Sequence, residues 1–197
     1  MAGRFLQTLF TPEVLAEQRR YFGRSREISR QPERNPLTEE EAEFIAQRDS
    51  FYLSTVTSDG WPYLQHRGGP RGFLKVLDSS TLGFADYSGN RQLISTGNVA
   101  GNDRVALFLM DYPCRERLKI LGHARVLDAR QHPDTAARLA GPEHLPETER
   151  VFLIDVLSFD WNCSQFIQPR FTTEEIQGLV QPLRDRIAEL EARLASR

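Results

Sequence analysis

Gln65-His66-Arg67-Gly68-Gly69-Pro70-Arg71-Gly72-Phe73-Leu74-Lys75-Val76, followed after a turn by Leu82-Gly83-Phe84-Ala85-Asp86-Tyr87-Ser88-Gly89-Asn90-Arg91-Gln92, decides how the chain is read. Two short apolar runs each lead into or out of a loop of glycines, arginines and small polar side chains. Backbone N–H groups exposed by glycine and the fixed fork of a guanidinium are what a phosphate requires. Arg117-Leu118-Lys119-Ile120-Leu121-Gly122-His123 echoes the same mixture of cations on an apolar run.

Working outward, the apolar period around this stretch is that of strands. Phe51, Leu53, Thr55 and Thr57 alternate with Tyr52, Ser54 and Val56, and Asp59-Gly60 is a hairpin turn. Further strands are expected over 61–67, 73–77, 82–85, 105–110, 118–127 and 151–161, with a short helix and a loop within 89–102 and a short helix over 134–139. Consecutive strands joined by tight turns indicate an antiparallel barrel or sandwich, not a βαβ fold. Before them, Thr11 and Pro12 start a helix that Gly23 ends, and Thr38 with Glu41 forms a capping box. Polar, proline-bearing residues 24–36 read as a surface linker.

After the last strand, Thr172 and Glu175 open a terminal helix, expected to break at Pro182. Leu183, Ile187, Leu190 and Leu194 recur in it at heptad spacing, too short a seam to be stable alone. It should pack on a partner subunit or on its own domain. Three segments result: an N-terminal helix and linker (1–37), a barrel domain (38–170) and a helical extension (171–197).

Composition narrows the function. With 197 residues, 40% hydrophobic and 26% charged, the chain can bury one sizeable core, and its net charge of -2 gives no footing for nucleic acid or an anionic membrane. No apolar run approaches the roughly 20 residues that span a bilayer. Met1-Ala2-Gly3-Arg4 is not followed by the apolar core of a secretion signal, and Cys114 and Cys163 form no CxxC, so a reduced, cytoplasmic protein is expected. His66 and His123 have no metal-ligand spacing and read as hydrogen-bonded residues; Ser54, Ser88 and Ser164 lack a nucleophile elbow.

From about Phe44 to Arg170 the chain resembles the pyridoxamine 5'-phosphate oxidase-like family. The resemblance is carried by Arg67–Lys75, Gly83–Gln92, Arg117–Ala124 and Asp160-Trp161-Asn162-Cys163 in that order. It implies a mainly β fold with peripheral helices, an antiparallel Greek-key split β-barrel that binds FMN, and a homodimer with flavin at the interface. Lys75 resembles the family lysine near the flavin ring, and either Arg67 or Arg71 its phosphate- or flavin-contacting arginine. Asn90-Arg91-Gln92 stands where the family has a Ser-Arg-Lys type phosphate segment. Arg117 and Lys119 lie on the strand reaching across the dimer, and Trp161 resembles the tryptophan that closes the pocket. Phe73, Leu74, Tyr87 and Trp161 could line an apolar slot for the ring.

The pyridoxamine-phosphate oxidases proper follow that tryptophan with an Arg-x-His pair that grips substrate; Asn162-Cys163-Ser164-Gln165 follows it here. The implied activity is therefore an FMN-dependent oxidoreductase with a different small-molecule substrate or a nicotinamide nucleotide as partner. The alternatives are a flavin or nucleotide carrier or sensor without turnover, and, more distantly, a haem-binding or haem-degrading relative.

Overall fold

The computed structural model describes residues 3–29, 34–89, 91–161 and 164–195. Asn90 and Cys163, both named above, lie outside the described residues, as does Asn162. Two compact units make up the chain: residues 1–110 with 117–163, and residues 111–116 with 164–197.

The first unit begins with α1 (Gly3–Leu9) and α2 (Pro12–Phe22). Thr11 accepts a hydrogen bond from the Val14 N–H at 3.4 Å, and Gly23 ends α2 at φ 70°. Helix α1 has no sequence signature; its one buried residue, Phe5, holds it by tertiary contact. Helix α3 (Glu39–Ala46) begins in the expected capping box, with Thr38 N–H and Oγ1 both donating to Glu41 Oε2 at 2.9 and 2.6 Å.

Seven strands form one antiparallel sheet: β1 (Ser50–Val56), β2 (Pro62–Gly68), β3 (Lys75–Asp78), β4 (Thr81–Tyr87), β5 (Arg104–Asp111), β6 (Glu116–Asp128) and β7 (Thr148–Trp161). Their order is β2-β1-β5-β6-β7-β4-β3. Two hairpins, β1–β2 and β3–β4, are thus carried to opposite flanks of the β5-β6-β7 meander. The fold is mainly β with peripheral helices, and the sheet is the open one of a split barrel. Strand β3 starts at Lys75 rather than at Phe73, because Arg71 and Gly72 turn the chain just before it and Gly72 takes φ +75° against the Ala46 carbonyl.

The inner face of the sheet is packed with Phe51, Leu53, Leu82, Phe84, Leu107, Leu109, Leu118, Ile120, Phe152 and Ile154. Phe84 stacks on Phe152 at 4.9 Å and meets Phe51 edge-on at 5.3 Å. The outer face of β4 and β7 is covered by α5 (Pro133–Ala140), whose Leu139 and Ala136 pack with Ala85, Val151 and Leu153. This explains the unbroken apolar run of β7: Phe152 and Ile154 point inward while Val151 and Leu153 meet the helix. Gly83 lets Leu139 approach; a Cβ there would stand 2.8 Å from Leu139 Cδ2.

Helix α4 (Ile94–Gly101) joins β4 to β5. Ser95 Oγ donates to Gln65 Oε1 at 2.8 Å and Asn98 Nδ2 to Thr55 Oγ1 at 2.9 Å, which pins it across β1 and β2.

In the second unit, Arg170 lies over the Tyr112 ring at 5.0 Å, and α6 (Thr173–Ala195) follows. The expected break at Pro182 does not occur; the helix runs through it. Proline removes one N–H and crowds the carbonyl four residues back. That residue is Gly178, where a side chain would meet nothing within 4 Å.

Candidate functional site

One cavity gathers the polar ends of β2, β4 and β7 with the loop into α4. It has a volume of about 150 Å³ and is lined by Tyr63, Gln65, Arg67, Asp86, Tyr87, Gly89, Arg91 to Thr96, and Arg150. Tyr63, Gln65 and Arg67 alternate along β2 and so project from one face. Asp86 and Arg150 are direct cross-strand partners between β4 and β7.

Asp86 is buried and bridges two guanidiniums. Its Oδ1 pairs with Arg67 Nη1, and its Oδ2 accepts from Arg150 Nε at 2.9 Å. Arg150 Nη2 also meets Glu149 Oε2 at 2.9 Å. The Arg67 guanidinium lies over the Phe152 and Phe84 rings at 5.3 and 5.7 Å, so aromatic faces and a carboxylate hold it flat. Its Nε–H is buried without a hydrogen-bond partner among the described residues. A buried donor of this kind costs free energy until something accepts from it.

Arg91 and Leu93 both take left-handed backbone angles, φ 59° and 55°. The chain thereby turns sharply into α4, whose first turn has no side-chain cap. Uncapped N–H groups at Ile94 to Thr96 thus belong to residues that line the cavity, and the positive end of the helix dipole adds to its field. Burial pushes the Tyr87 phenol above its ordinary range, and the charge of Glu147 pushes the same way, so Tyr87 stays a neutral donor. Three arginines and one carboxylate stand among the lining side chains, an excess of positive charge that an anion would answer.

A second cavity of about 830 Å³ adjoins it, sharing Thr96 and Arg150. Its walls include the apolar Val99, Ala124 and Val126 and the Asp128–Arg130 pair. Hydrogen bonds from the Arg130 side chain and backbone lower the Asp128 carboxyl to about 2.

Of the residues expected from sequence, Arg67, Tyr87, Arg91 and Gln92 meet at the small cavity. Phe73 and Leu74 are buried in the barrel core, where Phe73 stacks on Phe51 at 5.5 Å. Lys75 stands on the flanking strand β3 opposite Gly83, outside both cavity linings. Arg71 is exposed and reaches Gln47 Oε1 at 3.3 Å.

Arg117, Lys119 and Trp161 form a separate group where β6 begins and β7 ends. Lys119 Nζ meets Asp160 Oδ2 at 2.8 Å and lies 4.7 Å from the Phe5 ring centroid. Trp161 packs edge-on against Phe44 at 4.7 Å and donates to Glu41. Arg117 Nε, like that of Arg67, is buried without a partner. From Arg150 to Trp161 is eleven residues of strand, about 36 Å at 3.3 Å each. That exceeds the reach of one mononucleotide.

Sequence reasoning missed Asp86, Arg150, Gln65, Ser95 and Thr96. Asp86 lay inside the quoted stretch and signalled nothing alone; Arg150 becomes its partner only through the β4–β7 register. His66 meets Tyr52 edge-on and His123 Nδ1 meets Asp103 Oδ1 at 3.0 Å. No group of three or more candidate metal ligands occurs among the described residues, and no described helix is long and apolar enough to cross a membrane.

Comparison with known proteins agrees with this architecture. A variant of HupZ from Group A Streptococcus superposes with a TM-score of 0.50 at 13% identity, over 64% of this chain and 99% of that one. A putative pyridoxamine 5'-phosphate oxidase from Lactobacillus delbrueckii is 23% identical, with a TM-score of 0.49 over 64% and 93% of the two chains. An FMN-binding protein from Syntrophomonas wolfei is 11% identical, with a TM-score of 0.45 over 64% and 85%. No curated protein matches the sequence. The family model described as pyridoxamine 5'-phosphate oxidase matches residues 37–159, well over half of the chain. With that match spanning the sheet and the small cavity alike, the chain belongs to the pyridoxamine 5'-phosphate oxidase family.

Proposed function

We propose that this chain binds FMN and serves as an FMN-dependent oxidoreductase, with residues 38–170 as the flavin-binding domain. The observation that carries the reading is the gathering of Arg67, Arg91 and Arg150 around the single buried carboxylate of Asp86 in one small cavity. A phosphate dianion would answer the excess of guanidinium charge among the lining side chains, and a volume of about 150 Å³ suits a phosphate rather than a whole cofactor. Arg67 rather than Arg71 is thereby assigned to the phosphate. The adjoining larger cavity gives a phosphate-bearing ligand room to continue.

The lining side chains hold and orient. Asp86 fixes the Arg67 and Arg150 forks, Tyr87 keeps its proton and donates, and the first turn of α4 offers backbone N–H groups. Among the described residues no histidine or cysteine lines the small cavity. Flavin, when bound, would supply the redox chemistry, accepting two electrons from a nicotinamide nucleotide or from the substrate. The group at Arg117, Lys119 and Trp161 is too far along β7 to serve the same flavin, and a homodimer would bring it there from the partner copy.

Titration of the purified protein with FMN and with riboflavin, followed by flavin fluorescence, tests the binding. FMN should bind and riboflavin should bind far more weakly; a protein that takes up neither ends the reading. Anaerobic addition of NADH or NADPH then separates an oxidoreductase, whose flavin bleaches and recovers in air, from a carrier, whose flavin stays oxidised.

A further inference from the structure

Helix α6 is well capped and carries an exposed apolar stripe. Its start is capped in both directions, Thr172 N–H donating to Glu175 Oε2 at 2.7 Å and Glu175 N–H to Thr172 Oγ1 at 3.2 Å. Acidic residues occupy its first turn and Arg193 its last, as the helix dipole favours. Yet Ile176, Leu183, Ile187, Leu190 and Leu194 are each between 42% and 70% exposed. No residue of this helix is buried.

With Val180 these side chains fall on one unbroken heptad seam. Val180, Ile187 and Leu194 take the a positions, and Ile176, Leu183 and Leu190 the d positions. The two residues least suited to a helix fall outside the seam, Gly178 at f and Pro182 at c. Two of the three a residues are β-branched and two of the three d residues are leucine, the pattern of a two-stranded parallel coil, with Leu194 at a and Ile176 at d departing from it at the two ends of the seam.

Charge chooses the same arrangement. In a parallel pair, Arg186 at g of one helix faces Glu191 at e of the other, and symmetry makes the attraction twice. An antiparallel pair with the seam fully overlapped sets Arg186 against Arg186 and Arg184 against Arg184. Among the described residues Arg186 pairs with Glu189 of its own helix, on the exposed surface, so little opposes a change of partner.

We propose that α6 pairs with α6 of a second copy of this chain as a parallel, in-register coiled coil from Ile176 to Leu194. The pairing does not rest on flavin binding. So short a seam is weak by itself, and any other contact between the two copies raises its effective concentration.

The test is a disulfide at a d position. In the full chain with Cys114→Ser and Cys163→Ser, Leu190→Cys should form a disulfide-linked dimer under mild oxidation, since equivalent d residues meet across a parallel seam. Adding Arg186→Glu should slow cross-linking several-fold at low salt by setting two carboxylates face to face. The double exchange Arg186→Glu with Glu191→Arg should restore it. Helicity and flavin uptake, measured on the same samples, show that each variant is folded. A folded chain that forms no disulfide at 190 overturns the proposal, whether it is a monomer or a dimer joined elsewhere, and leaves the flavin reading standing. Preferential linkage between Val180→Cys and Leu190→Cys chains, which reports an antiparallel pair, or cross-linking indifferent to the charge exchange, also overturns it.

Discussion

Trp161 donates its indole N–H to Glu41 Oε1 at 2.6 Å, tying the end of β7 to the first turn of α3. The same carboxylate closes the capping box with Thr38, so one buried side chain serves strand and helix at once. Burial works against ionisation of Glu41, but hydrogen bonds from the Thr38 side chain, Trp161 and the backbone outweigh it and hold its carboxyl below the ordinary range.

Glu41→Gln should therefore cost about 1–3 kcal/mol of folding stability at neutral pH. Because the folded carboxyl is depressed, the contribution is complete above the unfolded value of 4.5 and fades as pH falls through the lower folded value. Urea melts from pH 7 down to pH 3 should show the two proteins converging in acid. A constant difference across that range would show that the charge is irrelevant.

Arg91→Ala and Arg67→Ala should each weaken FMN binding by about 2–4 kcal/mol, through loss of a charge-assisted partner to phosphate. Riboflavin, without the phosphate, should hardly distinguish the variants from the parent. Equal losses for both ligands would move the two arginines away from the phosphate and into general support of the fold.

Asp86→Asn leaves the Arg67 and Arg150 guanidiniums without their shared counter-charge in a largely buried position. The free protein should lose about 3–5 kcal/mol, and saturating FMN should recover more stability in the variant than in the parent. Thermal melts with and without FMN read both effects. Unequal rescue in the opposite sense would exclude Asp86 as the residue that sets the two forks.

Gly122→Ala should be costlier than Gly83→Ala. A Cβ at Gly122 meets the Asp155 carbonyl oxygen at 2.6 Å, part of a strand that cannot step aside. At Gly83 the nearest atom is the Leu139 side-chain end at 2.8 Å, which can repack. The second change should lie in the overpacking range of about 1–3 kcal/mol and the first above it, by denaturant melts of each.

Local signals carried most of the fold. Asp59-Gly60, the two capping boxes and the alternation of β1 are written within a few residues, and each stands where its chemistry says. What depended on distant packing was illegible: α1 is held by Phe5 in a buried place. The site divides the same way. Arg67 and Arg91 were visible as cations beside glycines. Arg150, 64 residues from Asp86, becomes visible only once the β4–β7 register is known. Resemblance carried Arg117, Lys119 and Trp161 into the same list, yet β7 separates them from that cavity.

The length of β7 has a genetic corollary. If each flavin draws on the arginine cluster of one copy and on the far end of the strand from the other, the two pockets of a pair belong to neither chain alone. Co-expressing an Arg91→Ala chain with one altered at Arg117 would then yield mixed pairs in which one pocket carries both lesions and the other carries none. Two inactive alleles would complement, restoring flavin to half the pockets of every mixed pair.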